Sequence, residues 1–153
     1  VDAIAPLLST GITVDDVCML ETGYAPPFAS AMDIINNAGN VLDNILEHRN
    51  RPMDTIDLLE KFKSGKMRLL DVRDIREAED CVEKYPEQWL NISHPELRDR
   101  LHEISKDEEI CLVCGTGTRS YECQVLLAQN GFTNIWNVQG GYTTLIAMDP
   151  DLV

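Results

Sequence analysis

The sequence predicts an α/β domain with a mostly parallel central sheet flanked by helices, plus a helical segment in front of it. Three observations carry this reading. From residue 53 onward, short apolar runs alternate with amphipathic, helix-prone stretches. One run, Glu109-Ile110-Cys111-Leu112-Val113, is apolar almost throughout, as a strand buried on both faces of a parallel sheet should be. Residues 1–46 differ in kind: they carry six acidic residues, no Lys or Arg, and no run that reads as a strand.

Taken in order, Val1–Ser9 is expected to be a short apolar helix stopped near Gly11. Thr13, with Asp16 three residues later, is a helix N-cap for a short helix holding Val17 and Leu20. Pro26-Pro27 keeps Tyr24–Phe28 extended. Ser30 or Asp33 then caps a longer helix to about His48, with Ile34, Ala38, Val41, Leu42, Ile45 and Leu46 in one apolar stripe. Residues 1–47 therefore form a helical piece that needs something to pack on, and the polar stretch 48–52 reads as a linker. In residues 53–153, Thr55–Lys63 is a helix with Ile56, Leu59 and Phe62 on its inner face, and Arg68–Val72 is a buried strand. Residues 73–85 are helix-prone, Trp89–Ile92 is a strand and Pro95–Ile104 a helix. The apolar strand at 109–113 follows, then a helix over Ser120–Gln129 ended by Asn130-Gly131, and a last strand at Asn134–Val138.

Bulk properties narrow the function. A chain of 153 residues suits one domain plus an appendage. A net charge of −13 repels phosphate backbones and anionic lipids, so neither nucleic acid nor a membrane is an expected partner. Any anion site must be built locally. The five cysteines, an odd number at irregular spacing, argue for reduced thiols and a cytoplasmic location. The chain begins with Val and has no signal-peptide pattern, as expected of a piece of a longer polypeptide.

The chemistry concentrates in Ile110–Ser120. A buried strand ends at Cys114, and a loop with Gly115 and Gly117 leads into a helix. Open α/β sheets bind ligands at the carboxyl ends of their strands. Two glycines let the loop curl with its N–H groups inward, and the helix N-terminus adds partial positive charge. A thiol there should have a depressed pKa and act as a thiolate nucleophile. Arg119 offers a forked donor for oxyanions, and Thr116, Thr118 and Ser120 offer hydroxyls. The reading requires a Cys114 side chain that solvent can reach, with room for a small anion beside it.

This stretch resembles the rhodanese family, whose Cys-x-x-Gly-x-Arg pattern is met by Cys114, Gly117 and Arg119. Leu69-Leu70-Asp71-Val72-Arg73 is similar to the family's Asp-x-Arg strand end. Asn130-Gly131-Phe132 and Val138-Gln139-Gly140-Gly141 are similar to its Gly-Phe turn and closing Gly-Gly. The resemblance implies that Cys114 accepts sulfur from thiosulfate, a persulfide or a polysulfide, holds it as a persulfide and passes it to a thiol acceptor or to cyanide. It gives Arg119 and the loop residues Gly115, Thr116, Gly117, Thr118 and Ser120 the donor site, and Asp71 and Arg73 a supporting role. Cysteine phosphatases with a related cradle use Cys-x5-Arg; here the sixth position after Cys114 is Ser120, which favours sulfur over phosphate. The family's Gly-His-Ile is missing from 79–86, so the pocket wall made by residues 74–95 departs from the pattern.

Leu20–Asp33, with Tyr24-Ala25-Pro26-Pro27-Phe28 at its heart, and Asn37-Ala38-Gly39-Asn40 are similar to the C-terminal dimerisation domain of pyridine nucleotide-disulfide oxidoreductases, in particular coenzyme A disulfide reductase and its NADH oxidase and persulfide reductase relatives. Some of these carry a C-terminal rhodanese domain, and the resemblance matches Tyr24 to a tyrosine that reaches the partner subunit's active site. FAD, NADH and coenzyme A are then expected only in a full-length parent, because this chain has no Gly-x-Gly-x-x-Gly. The helices of 1–47 have two candidate partners: the chain's own second part, or a second copy in a homodimer.

Plainer readings stand beside these. Cys111 and Cys114 form Cys-x-x-Cys, but zinc would need two more suitably spaced ligands, so no metal is expected. Cys111, Cys123 and Cys18 read as packing thiols, with a resolving role for Cys123 as the sharper alternative and proximity to the pocket as that for Cys81. The alternative to a sulfurtransferase is a non-catalytic module that docks or regulates, with a dimerising N-terminal segment.

Overall fold

The computed structural model describes residues 3–21, 23, 25, 27, 28, 30 and 32–152. The chain divides into two compact units, Val1–Arg49 and Asn50–Val153.

The first unit is helical. Helix α1 spans Ala5–Leu8, α2 Val14–Cys18 and α3 Ile34–Leu46. Thr13 closes a capping box with Asp16, and Asp33 caps α3 with Asn36 in the reciprocal place. The apolar stripe read from the sequence is not the face α3 turns to α2. Ile34, Val41, Leu42 and Leu46 are exposed, while Asn36 and Gly39 are buried. The Asn36 side-chain amide donates to the carbonyls of Cys18 and Leu20, at 3.1 and 2.9 Å, which have no helical partner. A Cβ at position 39 would stand 2.9 Å from the Cys18 backbone nitrogen, so glycine lets the helices touch.

The second unit is a five-stranded sheet in the order β1-β5-β4-β2-β3, every pair parallel. Its strands are β1 Pro52–Met53, β2 Arg68–Asp71, β3 Trp89–Asn91, β4 Ile110–Val113 and β5 Ile135–Val138. Helices α4 (Thr55–Lys63), α5 (Ile75–Lys84), α6 (Thr118–Gln129) and α7 (Gly141–Met148) connect or follow them. Pro52, read as the end of the linker, opens the edge strand β1, where a residue without an N–H is tolerated. The central strand β4 is buried at all four positions, as its composition requires.

Side-chain alternation splits the core into two layers. Leu58, Phe62, Leu69, Trp89, Cys111, Val113 and Leu145 pack on one face. Leu70, Leu97, Leu112, Cys114, Cys123, Leu127 and Phe132 pack on the other. Cys111 and Cys114 thus lie on opposite faces. On α4 the inner face is Leu58 and Phe62, and Ile56 is exposed, contrary to the sequence reading. Residues 95–104 do not form the expected helix. They make tight turns and a short 3-10 helix at Leu101–Glu103, closed by bonds such as Arg100 N–H to Leu97 O at 3.2 Å. Burying Leu97 and Ile104 in one layer takes precedence over helical periodicity.

Candidate functional site

Strand register gathers the chemistry at one end of the sheet. Asp71 ends β2 beside Val113, the last residue of β4, and Asn137 lies beside Leu112. Cys114 follows β4 directly, and the loop Gly115–Gly117 carries the chain to α6. Gly117 has φ of 108°, a conformation that favours glycine and turns the loop back on the sulfur.

The loop closes around Sγ. The Gly117 N–H donates to it at 3.1 Å and the Ser120 hydroxyl at 3.3 Å. Burial raises the Cys114 pKa, but hydrogen bonds from the Ser120 hydroxyl and from the amides of Ser120, Gly117 and Thr116 outweigh it, so the net shift is downward. Cys81, Cys111 and Cys123 move the other way because burial dominates; Cys123 is pushed up to about 12. All five cysteines are free.

The Cys114 side chain is not open to solvent, contrary to what the sequence reading requires. Cys114 keeps only 1 % of its surface exposed. Its sulfur is hydrogen-bonded by the Gly117 N–H and the Ser120 hydroxyl, and Cys114 belongs to the core layer that holds Cys123 and Leu127. The loop that follows lies at the surface: Thr116 and Thr118 are exposed, and Gly115, Gly117 and Arg119 partly so.

The hydroxyls divide. Ser120 reaches the sulfur, whereas Thr116 contributes its amide and Thr118 has an exposed side chain. Arg119 sits at the rim, with Nη2 3.5 Å from where a Cβ on Gly115 would lie, and its Nη1 is 3.8 Å from a Glu77 carboxylate oxygen. Glu77 is in the first turn of α5, in the segment that departs from the family pattern, and no sequence signal had marked it.

Two more layers hold the ring. Tyr142 N–H donates to Cys114 O at 2.7 Å, and the Thr143 N–H and hydroxyl donate to Gly115 O at 3.1 and 2.9 Å. The Asn137 side-chain amide donates to Gly117 O at 3.2 Å. With these carbonyls turned to α7 and β5, the loop's N–H groups are left for the sulfur. Gly141 makes the approach feasible: a Cβ there would be 2.5 Å from Cys114 O and 2.7 Å from Thr116 N. Behind α7, Asp71 is fully buried and accepts from the Arg73 guanidinium at 2.6 and 3.0 Å and from the Trp89 indole at 3.0 Å. The Arg73 guanidinium stacks 3.6 Å from the centre of the Tyr142 ring. The sequence reading missed Asn137, Gly141, Tyr142 and Thr143 as site elements. The Gly140-Gly141 pair was their one visible mark.

Among the described residues, no group of three or more His, Cys, Asp or Glu is placed to hold a metal ion. Tyr24 lies outside the described residues.

A family model described as "Rhodanese-like domain" matches residues 54–147. The chain belongs to the rhodanese-like domain family. A sulfurtransferase from Allochromatium vinosum is 38 % identical over 68 residues, 44 % of this chain and 64 % of that protein. The crystal structure of reduced Bacillus anthracis CoADR-RHD superposes with a TM-score of 0.84 at 31 % identity, over 98 % of this chain and 26 % of that one. A NAD-dependent persulfide reductase from A. fulgidus gives 0.74 at 31 % identity, over 92 % and 24 %. The likeness thus takes in the N-terminal helices as well as the rhodanese-like domain, while the chain spans about a quarter of either larger protein.

Proposed function

We propose that this rhodanese-like domain is a sulfurtransferase in which Cys114 carries sulfane sulfur as a persulfide. What supports it most is the Cys114 sulfur itself, held at a strand's end by the Gly117 amide and the Ser120 hydroxyl with its pKa lowered. The thiolate attacks the sulfane sulfur of thiosulfate, a persulfide or a polysulfide. The new S–S bond forms as the donor's S–S bond breaks, and sulfite (from thiosulfate), a thiolate (from a persulfide) or the shortened polysulfide leaves with the bonding pair. The outer sulfur then stands about 2.05 Å from Sγ, among the amides of Thr116, Gly117 and Ser120. An acceptor thiolate attacks that outer sulfur and takes it away, and Cys114 leaves as the thiolate. No net oxidation occurs in either half.

In this proposal the partly exposed Arg119 at the rim orients the donor's anionic end, and Gly115–Thr118 supply the wall. Because the sulfur is covered, the donor must displace the loop's contacts with it, which favours donors with a slender terminal sulfur. Asp71 and Arg73 support the loop.

We also propose that the chain is the C-terminal part of a reductase-rhodanese fusion, on the strength of a likeness to CoADR-RHD that covers 98 % of this chain. FAD, NADH and coenzyme A then belong to the parent, and residues 1–47 to its homodimer interface. A reducing cytoplasm suits a working thiolate. Among the described residues no helix is long and apolar enough to cross a membrane.

Intact-protein mass spectrometry after incubation with each donor tests the function. The expected gain is about 32 Da on Cys114, lost in Cys114→Ser, since only the thiolate forms the persulfide. A gain on another cysteine, or none with any donor, defeats the proposal.

A further inference from the structure

We infer that Tyr142 is a positioning residue for Cys114, coupling the buried Asp71–Arg73 pair to the sulfur-binding loop. It rests on the sulfur-transfer reading only in taking Cys114 as the reacting thiol.

Gly140 and Gly141 both have positive φ, 73° and 64°, so α7 is entered through two consecutive residues without side chains. Its N-cap makes no side-chain hydrogen bond. Nothing in the glycines fixes where the helix begins, and glycine is the residue with most freedom to lose. The first side chain of α7 able to anchor it is Tyr142. Its ring lies on the Arg73 guanidinium at 3.6 Å, a separation at which a desolvated cation and an aromatic face attract strongly. Its hydroxyl accepts from the Cys81 thiol at 3.8 Å, and the same sulfur accepts from Arg73 Nη2 at 3.7 Å.

Arg73 is itself held on its backbone and its side chain. It is 3 % exposed, and the fully buried Asp71 holds its backbone N–H at 3.0 Å as well as its guanidinium. A rigid pair therefore fixes a ring, the ring fixes the first turn of α7, and that turn presents the N–H groups of Tyr142 and Thr143 to Cys114 O and Gly115 O. Those two bonds decide which way the peptide planes after Cys114 face. If the first turn drifts, the carbonyls are released, the amides rotate and the sulfur loses donors. An ordinary core aromatic in this place would affect stability and leave the thiol's acidity alone.

The test is the pH dependence of Cys114 alkylation, read by peptide mass, alongside donor-dependent persulfide formation, in Tyr142→Phe, Tyr142→Leu and Arg73→Lys. Tyr142→Phe keeps the ring and should leave the alkylation midpoint where it is. Tyr142→Leu removes the aromatic face; its midpoint should rise by roughly one pH unit, the size of one lost hydrogen bond to a charged sulfur, with persulfide formation down about ten-fold. A folded Tyr142→Leu protein with an unmoved midpoint overturns the inference. Should that variant not fold, Arg73→Lys decides, since it keeps the charge and loses the planar stack: a raised midpoint supports the inference and an unmoved one overturns it. Alkylation needs no sulfur donor, so a wild-type protein that takes up no sulfur would sink the proposed function while leaving this outcome readable.

Discussion

Ser120 Oγ stands 3.3 Å from Cys114 Sγ and 3.1 Å from the carbonyl oxygen of Gly117. A hydroxyl has one proton and can serve only one of them at a time. With a neutral thiol the carbonyl is a competent acceptor; with a thiolate the charged sulfur draws the proton. Ser120 thus favours ionised Cys114 selectively. Replacing Ser120 with Ala should raise the alkylation midpoint by roughly one pH unit.

The lowered thiol pKa also has a stability signature. A group whose folded pKa lies below its unfolded value stabilises the fold above the unfolded pKa, and loses that contribution as pH falls through the folded one. The stability difference between wild type and Cys114→Ser should therefore shift in favour of wild type as pH rises from the lowered Cys114 pKa toward the ordinary 9.0, then level off. Urea titrations across that window measure it.

Brief treatment with a small alkylating agent near neutral pH should label Cys114 and spare Cys81, Cys111 and Cys123. All four are almost fully buried, but only Cys114 has its pKa lowered, and the other three have theirs raised. A bulky N-aryl iodoacetamide should label Cys114 much more slowly than iodoacetamide itself, which carries the same electrophile, because the sulfur is almost fully buried. Equal rates would show that the burial is not a barrier.

Gly141→Ala and Gly65→Ala separate two costs that glycine avoids. Both residues have positive φ, 64° and 72°, so both variants meet backbone strain of about 1 kcal/mol. Position 65 has open space around the new Cβ, whereas at 141 it would collide with backbone atoms of Cys114, Gly115 and Thr116. Gly65→Ala should lose about that much stability and no activity. Gly141→Ala should lose more stability and most of the persulfide formation.

Glu77→Gln should help an anionic donor. Glu77 lies 3.8 Å from Arg119 at the rim, and both side chains are partly exposed. Exposed pairs are worth about 0.2–1 kcal/mol, so freeing the guanidinium should raise kcat/KM for thiosulfate roughly two- to five-fold at low salt, and less at high salt. The buried pair behind the site behaves differently. Asp71→Ala leaves the Arg73 charge without its partner and should cost about 3–5 kcal/mol by chemical denaturation.

Much of this was written in the sequence because local signals agreed with tertiary demand. Helix α4 runs over Thr55–Lys63 as read, though with Leu58 rather than Ile56 inward, and β4 is the buried central strand that Ile110–Val113 suggests. The sulfur loop was legible because its device is local: a strand end, two glycines and a helix start within ten residues. Residues 95–104 were misread because Leu97, Leu101 and Ile104 have helix-compatible spacing, yet turns bring the first and last of them to the same layer. The support from Tyr142, Thr143 and Asn137 was invisible, since it joins residues separated by 20 or more positions and ends on main-chain carbonyls that no residue type advertises. Glu77 was missed for the opposite reason: a surface acid in an acidic helix carries no mark of what it faces.

A ring built from peptide N–H groups has a consequence for substitution scanning. Exchanging Thr116 or Thr118 for other residues of ordinary backbone preference leaves every ring donor in place, because their side chains point outward. Such a scan should show two tolerant positions embedded among intolerant ones: Gly117, Ser120 and, more than twenty residues away, Gly141. A map of that kind would trace the loop by its silence at Thr116, whose amide faces the sulfur while its side chain faces solvent.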